Sequence, residues 1–175
     1  MPSRLRVVCG YAVGAIVLLL AHPTPRSLLV ALPFALLGEA LRLWASGHIE
    51  KTQRLATGGP YAHTRNPLYV GSALMALAAA AACASAAAGL CVALYLAAFY
   101  PSVMREEADF LHRKFGDEYE AWAREVPMFL PRFSAGGPRA TRFDWGRVRA
   151  NREWRTAAAL PLLAAVLYAQ GWWRS

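Results

Sequence analysis

Four apolar runs, separated by stretches that carry most of the charge, two of them short and the last, 101–156, long, set the pattern of this chain. They cover residues 7–21, 28–45, 68–100 and 157–173. The third run holds no charged residue. As one helix it would be about 50 Å long, against a hydrocarbon core of about 30 Å. It is therefore expected to fold as two spans joined by a tight turn, with the Ser/Ala/Gly stretch 85–89 as the break. The pattern predicts an all-α, polytopic membrane helix bundle of about five transmembrane helices. Pro23 and Pro25 form the turn after the first span, and Pro101 is expected to kink or tilt the exit of the fourth. Trp44 suits an interfacial anchor, and Trp172 and Trp173 an aromatic belt. A basic start followed by an apolar stretch also fits a signal peptide. Ala21-His22-Pro23-Thr24-Pro25 offers no clear small-x-small cleavage site and more spans follow, so the first run is read as retained.

Composition agrees with the pattern. Of 175 residues, 57% are hydrophobic and 17% charged, which excludes a disordered chain and a typical cytosolic enzyme. The net charge of +8 would suggest nucleic acid in a soluble protein. Here the basic residues lie between apolar runs, so membrane lipids are the expected partner and nucleic acid is not. Arg4 and Arg6 precede span one, Arg26 alone follows it, and Lys51, Arg54 and Arg65 lie between spans two and three. The turn between spans three and four has no basic residue, and the segment after span four is rich in Arg. This alternation places the N-terminus in the cytoplasm and the C-terminus outside, as in a bacterial inner membrane protein. Cys9, Cys83 and Cys91 lie inside apolar runs without metal-ligand spacing and read as core thiols; no metal is expected. Glu39 and Arg42, three residues apart within a span, are expected either to lock two helices as an ion pair or to flank a polar site.

Two motifs converge on the cytoplasmic face in this topology. The first is Gly58-Gly59-Pro60-Tyr61-Ala62-His63-Thr64-Arg65-Asn66-Pro67-Leu68-Tyr69-Val70-Gly71. A loop and a helix start, with Arg65 reaching lipid phosphates, would account for part of it. Two tyrosines flanking an Arg-Asn-Pro, beside free helix N-terminal N–H groups, also suit a ligand with an aromatic base and a carboxylate. The second motif starts Arg105-Glu106-Glu107-Ala108-Asp109-Phe110-Leu111 and runs through Lys114-Phe115-Gly116-Asp117-Glu118-Tyr119 to Trp122 and Val126-Pro127. It reads either as a surface helix with a solvated acidic face or as a ligand segment whose acidic pair accepts hydrogen bonds from a ribose or amine.

Together these motifs resemble the isoprenylcysteine carboxyl methyltransferase family and the related phospholipid methyltransferases, over residues 36–133. The resemblance implies an integral membrane enzyme that uses S-adenosylmethionine in a cytoplasmic pocket and a lipophilic or lipidated methyl acceptor. It implies cofactor contacts from Tyr61, Asn66, Pro67, Leu68, Tyr69 and Glu107, and from the upstream strip Gln53, Arg54, Leu55 and Ala56. Arg105 would orient an acceptor carboxylate, and Glu106 would serve as a base for an amine acceptor. Asn66 stands where many members have His. Val103 occupies the place of the family's substrate-orienting Arg, leaving Arg105 as the nearest.

The implied organisation is an N-terminal span with the start of the second (1–35), a methyltransferase core (36–133), a basic interfacial linker (134–155) and a C-terminal helix (156–175). In the linker, Phe143, Trp145 and Trp154 alternate with Arg142, Arg147, Arg149 and Arg152, as expected of a helix on the lipid surface. Competing readings are a membrane reductase using NADPH, since sterol reductases carry a similar Arg-His-Pro-x-Tyr stretch, and a non-enzymatic membrane scaffold. The topology is testable directly. Single-cysteine labelling should place position 52 in the cytoplasm and position 175 outside; finding both on one side would overturn the five-span arrangement.

Overall fold

Prolines set two of the helix starts. Pro25 and Pro67 hold the first positions of α2 (Pro25–Ser46) and α3 (Pro67–Ala82), where an N–H has no partner within the helix. The computed structural model describes residues 3–50, 53–135 and 141–174. Among these, the remaining helices are α1 (Ser3–Leu19), α4 (Ala86–Phe115), α5 (Asp117–Glu125), α6 (Trp145–Ala150) and α7 (Trp154–Arg174), with a 3-10 turn at Gly59–Ala62 and no strand. The protein is all-helical, as its hydropathy pattern predicts. Two helices, α2 and α4, are long and apolar enough to cross a membrane, and α3 is a shorter apolar helix. Lys51 and positions 52 and 175, used in the topology argument, lie outside the described residues, as do residues 136–140 of the expected linker.

The long apolar run breaks at residues 83–85, at the edge of the expected stretch. Ala84 turns the chain with φ of 49°. The Ser85 hydroxyl then accepts the Ala88 N–H at 3.3 Å, and Gly89 lies inside α4. The helix runs on through Pro101 and past the apolar stretch to Phe115. Gly116, at φ of 51°, separates it from α5, so the second motif is two helices rather than one. The expected surface helix of the linker is shorter than its pattern suggests. α6 has six residues, and α7 begins at Trp154, ahead of the apolar run.

The chain divides into two compact units, residues 1–37, 73–102 and 157–175, and residues 38–72 and 103–156. The first is built on small side chains. Ala21, Ala31, Ala78, Ala82 and Ala88 are buried with Val17, Cys83 and Leu167, a composition that lets helices approach closely. The Ser27 hydroxyl donates to the Ala82 carbonyl at 2.8 Å, and the Gln170 amide to that of Leu18 at 2.9 Å. Its outer surface carries Leu29, Leu32, Leu36, Leu90, Leu94 and Leu162, an apolar exposure that suits lipid. All three cysteines are free; Cys83 is buried, while Cys9 and Cys91 are half-buried.

The second unit packs around Trp122, which is 1% exposed, with Tyr119, Val126, Leu55, Tyr61 and Ala45. Here the expected Glu39–Arg42 pair is replaced. Arg42 gives its Nε to Glu153 at 2.6 Å and its Nη1 to the Ser72 hydroxyl and the Leu68 carbonyl. Glu39 is buried, and neither carboxylate oxygen has a hydrogen-bond partner. Helical spacing leaves Glu39 within reach of Arg42, but the Nε is taken by Glu153 and Nη1 by Ser72 and Leu68.

Candidate functional site

Local geometry begins at Gly59. Its φ of 57° favours glycine, and a side chain there would meet the His48 ring. Pro60 opens the 3-10 turn, which delivers a buried Tyr61. Residues 61–66 are then tied to the segment after α5. The Arg65 N–H donates to the Pro127 carbonyl at 2.8 Å, and the Arg132 N–H to that of His63 at 3.0 Å. The Thr64 hydroxyl donates to the Phe129 carbonyl, the Asn66 amide to that of Met128 (both 2.8 Å), and the Trp122 indole to that of Tyr61 at 3.1 Å. The two sequence motifs therefore meet in one unit.

Between them lies a cavity of about 320 Å³, at the small end of the range for ligand sites. Its apolar wall includes Leu55, Tyr61, Leu68, Phe110, Phe115 and Trp122. Both charge signs line it, with Arg54, Arg65 and Lys114 against Glu50 and Glu107. Burial first, and the nearby Glu107 carboxylate second, hold the Tyr61 phenol well above its usual range, so it stays neutral. Tyr69 hydrogen-bonds to Glu107. Arg65 donates Nη1 to the Tyr119 hydroxyl at 3.1 Å, while its buried Nε has no partner.

The expected site residues divide into two groups. Arg54, Leu55, Ala56, Tyr61, Leu68 and Glu107 line the cavity, and Tyr69 reaches it through Glu107. Gln53 is exposed and off the wall; Asn66 and Pro67 are buried off the wall. Arg105 and Glu106 are exposed and also off the wall. Sequence reasoning did not assign Ile49, Glu50, Arg65, Phe110, Leu111, Lys114, Phe115 and Trp122 to the site. Arg65 and Lys114 had a signal, as cations inside the two motifs. Glu50 had none, because its place depends on an ion pair with Arg147. Among the described residues, no group of three or more His, Cys, Asp or Glu could hold a metal ion.

A zwitterionic nucleoside fits these residues. The apolar wall can take a base, the Tyr69-supported Glu107 a ribose or an ammonium, and Arg65 or Lys114 a carboxylate. The orphaned Arg65 Nε is a donor still to be used.

A family model described as phospholipid methyltransferase matches residues 11–118. The cobalt-zinc-cadmium resistance protein CzcN of Cupriavidus metallidurans is 41% identical over 95 residues, 53% of this chain and 44% of that protein. The nickel-cobalt-cadmium resistance protein NccN of Alcaligenes xylosoxydans xylosoxydans is 38% identical over 95 residues, with the same shares. A protein-S-isoprenylcysteine O-methyltransferase of Schizosaccharomyces pombe is 33% identical over 113 residues, 58% of this chain and 48% of that enzyme. The chain thus spans about half the length of the curated relatives it matches. No solved structure matches it.

The geometry separates a supporting residue from a ligand-facing one. Asn66→Ala should cost about 1 kcal/mol by removing the shorter of two hydrogen bonds to the Met128 carbonyl, read by thermal unfolding in detergent, with ligand affinity unchanged. Tyr69→Phe should leave stability within about 1 kcal/mol and weaken the ligand about threefold to tenfold, since it strips a hydrogen bond from Glu107. The reverse pattern would contradict the assignment.

Proposed function

The chain belongs to the phospholipid methyltransferase family, and on that premise we propose that it is a membrane methyltransferase that uses S-adenosylmethionine and acts on a lipophilic acceptor. The observation that carries this reading is the mixed-charge, aromatic-walled cavity built by the two motifs together with the upstream residues Ile49, Glu50, Arg54, Leu55 and Ala56. The relative named as an isoprenylcysteine O-methyltransferase supports a carboxylate acceptor, and the family's own description supports a phospholipid. We favour the carboxylate, which is ionised at neutral pH and needs no strong base. In this reading five helices (α1, α2, α3, α4 and α7) span a bacterial inner membrane, with the N-terminus and the cavity on the cytoplasmic side.

S-adenosylmethionine, when bound, would supply a methyl group activated for transfer by its sulfonium. The chain's own residues supply binding and alignment, a contribution of up to about 7–11 kcal/mol. Glu107, supported by Tyr69, would accept hydrogen bonds from the ribose or ammonium. Arg65 and Lys114 would hold the carboxylate, and Tyr61, neutral and buried, would donate without adding charge. Trp122, Phe110 and Phe115 would exclude water from the reacting groups. Arg105, exposed beyond the cavity wall, would draw an anionic head group toward it, and Glu106 beside it would take the proton of an amine acceptor.

S-adenosylhomocysteine at a hundred times its Kd should stabilise the purified protein by about 2.7 kcal/mol against heat, and NADPH should not. Glu107→Ala should insert normally and lose that stabilisation. Stabilisation by NADPH instead would favour a reductase, and a full response in the Glu107 variant would remove Glu107 from the site.

A further inference from the structure

The family match ends at residue 118, yet the segment from Thr141 to Glu153 is fastened to one wall of the cavity. α2 stops at Ser46, and among the described residues 47–50 and 53–58 there is no helix or strand. The carbonyls at the end of a helix need partners from elsewhere. The Gly47, His48 and Ile49 N–H groups take those of Leu43, Ala45 and Ser46, and Asn151 adds a distant donor, giving its amide to the carbonyls of Ser46 at 2.9 Å and Ile49 at 3.2 Å. The Asp144 N–H donates to the Gly47 carbonyl at 3.0 Å. At the far end of the stretch, the Gly58 N–H donates to the Thr141 hydroxyl at 3.0 Å. Gly47 and Gly58 leave no room for a side chain, since a Cβ would run into the Phe143 ring or the Thr141 carbonyl.

Two ion pairs complete the attachment. Arg147 pairs with Glu50 and also donates to the Arg142 carbonyl at 2.6 Å. Glu153 takes Arg42 at 2.6 Å, although Glu39 lies one turn earlier on Arg42's own helix with both oxygens unpartnered. The segment therefore outcompetes a local partner for a partly buried cation. The stretch it holds supplies Ile49, Glu50, Arg54, Leu55 and Ala56 to the cavity.

We propose that residues 141–153 are a strap, with Arg147, Asn151 and Glu153 as positioning residues that set ligand affinity by fixing the wall at residues 47–50 and 53–58 without touching the ligand. The affinity part rests on the reading that the cavity takes S-adenosylmethionine. The local bonds of this stretch are single turns, such as His48 N–H to the Ala45 carbonyl and Gln53 N–H to that of Glu50, so its conformational freedom is limited further by what fastens it from a distance. Loosening the strap makes the ligand bear the cost of ordering the wall.

The test uses the full-length protein in detergent as wild type, Arg147→Ala, Arg147→Lys and Asn151→Ala. Hydrogen exchange is read on peptides covering 47–58, and S-adenosylhomocysteine affinity by calorimetry. Both alanine variants should exchange at least about fivefold faster over 47–58, with peptides of α1 unchanged, and should bind about fivefold to tenfold more weakly. Arg147→Lys should stay within about twofold of wild type, because Glu50 takes a single N–H from Arg147. Unchanged exchange over 47–58 in both alanine variants would overturn the strap. A lower melting temperature with unchanged affinity would overturn its positioning role. If the wild type does not bind S-adenosylhomocysteine, the cofactor reading falls, and the exchange rates still decide whether the strap holds the wall.

Discussion

The hydrogen bonds between residues 61–66 and the segment after α5 are the constraint on which the site depends. A backbone N–H from each side is spent on a carbonyl of the other, at Arg65–Pro127 and Arg132–His63. Thr64 and Asn66 add side-chain donors to the same segment. Each bond contributes about 1 kcal/mol net, and a buried carbonyl left unpartnered costs about 1–3 kcal/mol. The set works as a register. It places Tyr61 against Trp122, orients the start of α3 at Pro67, and so brings Tyr69 to Glu107. Without it, two motifs more than thirty residues apart in sequence would share no cavity.

Charge organises the rest of this unit. Arg42 and Arg147 secure the C-terminal segment through Glu153 and Glu50, while Arg65 keeps part of its guanidinium unspent beside the cavity. Cations and carboxylates therefore have two duties here, to fasten backbone and to line a binding surface. Glu50 has both. An apolar wall with opposed charges at its edge suits a ligand that is itself aromatic and zwitterionic, because each part finds its counterpart without leaving a buried charge alone.

Much of this was legible in the sequence, for identifiable reasons. The all-helical fold follows from uninterrupted apolar runs, and the pairing of motifs from their residue types. Tyr61, Leu68 and Glu107, which the family resemblance singled out, line one cavity. What escaped depended on distant contacts. The Glu39–Arg42 pair was expected from helical spacing alone, and lost to Glu153, over a hundred residues away. The amide of Asn66 looked ligand-facing within its motif, but it is spent on Met128. Glu50 carried no local signal, because its role comes from Arg147. The break in the long apolar run falls at 83–85 rather than 85–89, because Ala84 turns the chain and Ser85 caps α4, which leaves Gly89 inside the helix.

The central claim is that the two motifs form one S-adenosylmethionine site. Photochemical crosslinking with cofactor carrying a labelled methyl group, followed by peptide mapping, tests it most directly. The account predicts label on peptides from 49–69 and 107–122, displaced by excess S-adenosylhomocysteine. Label confined to α1 or α7, or label that excess S-adenosylhomocysteine does not displace, would contradict it.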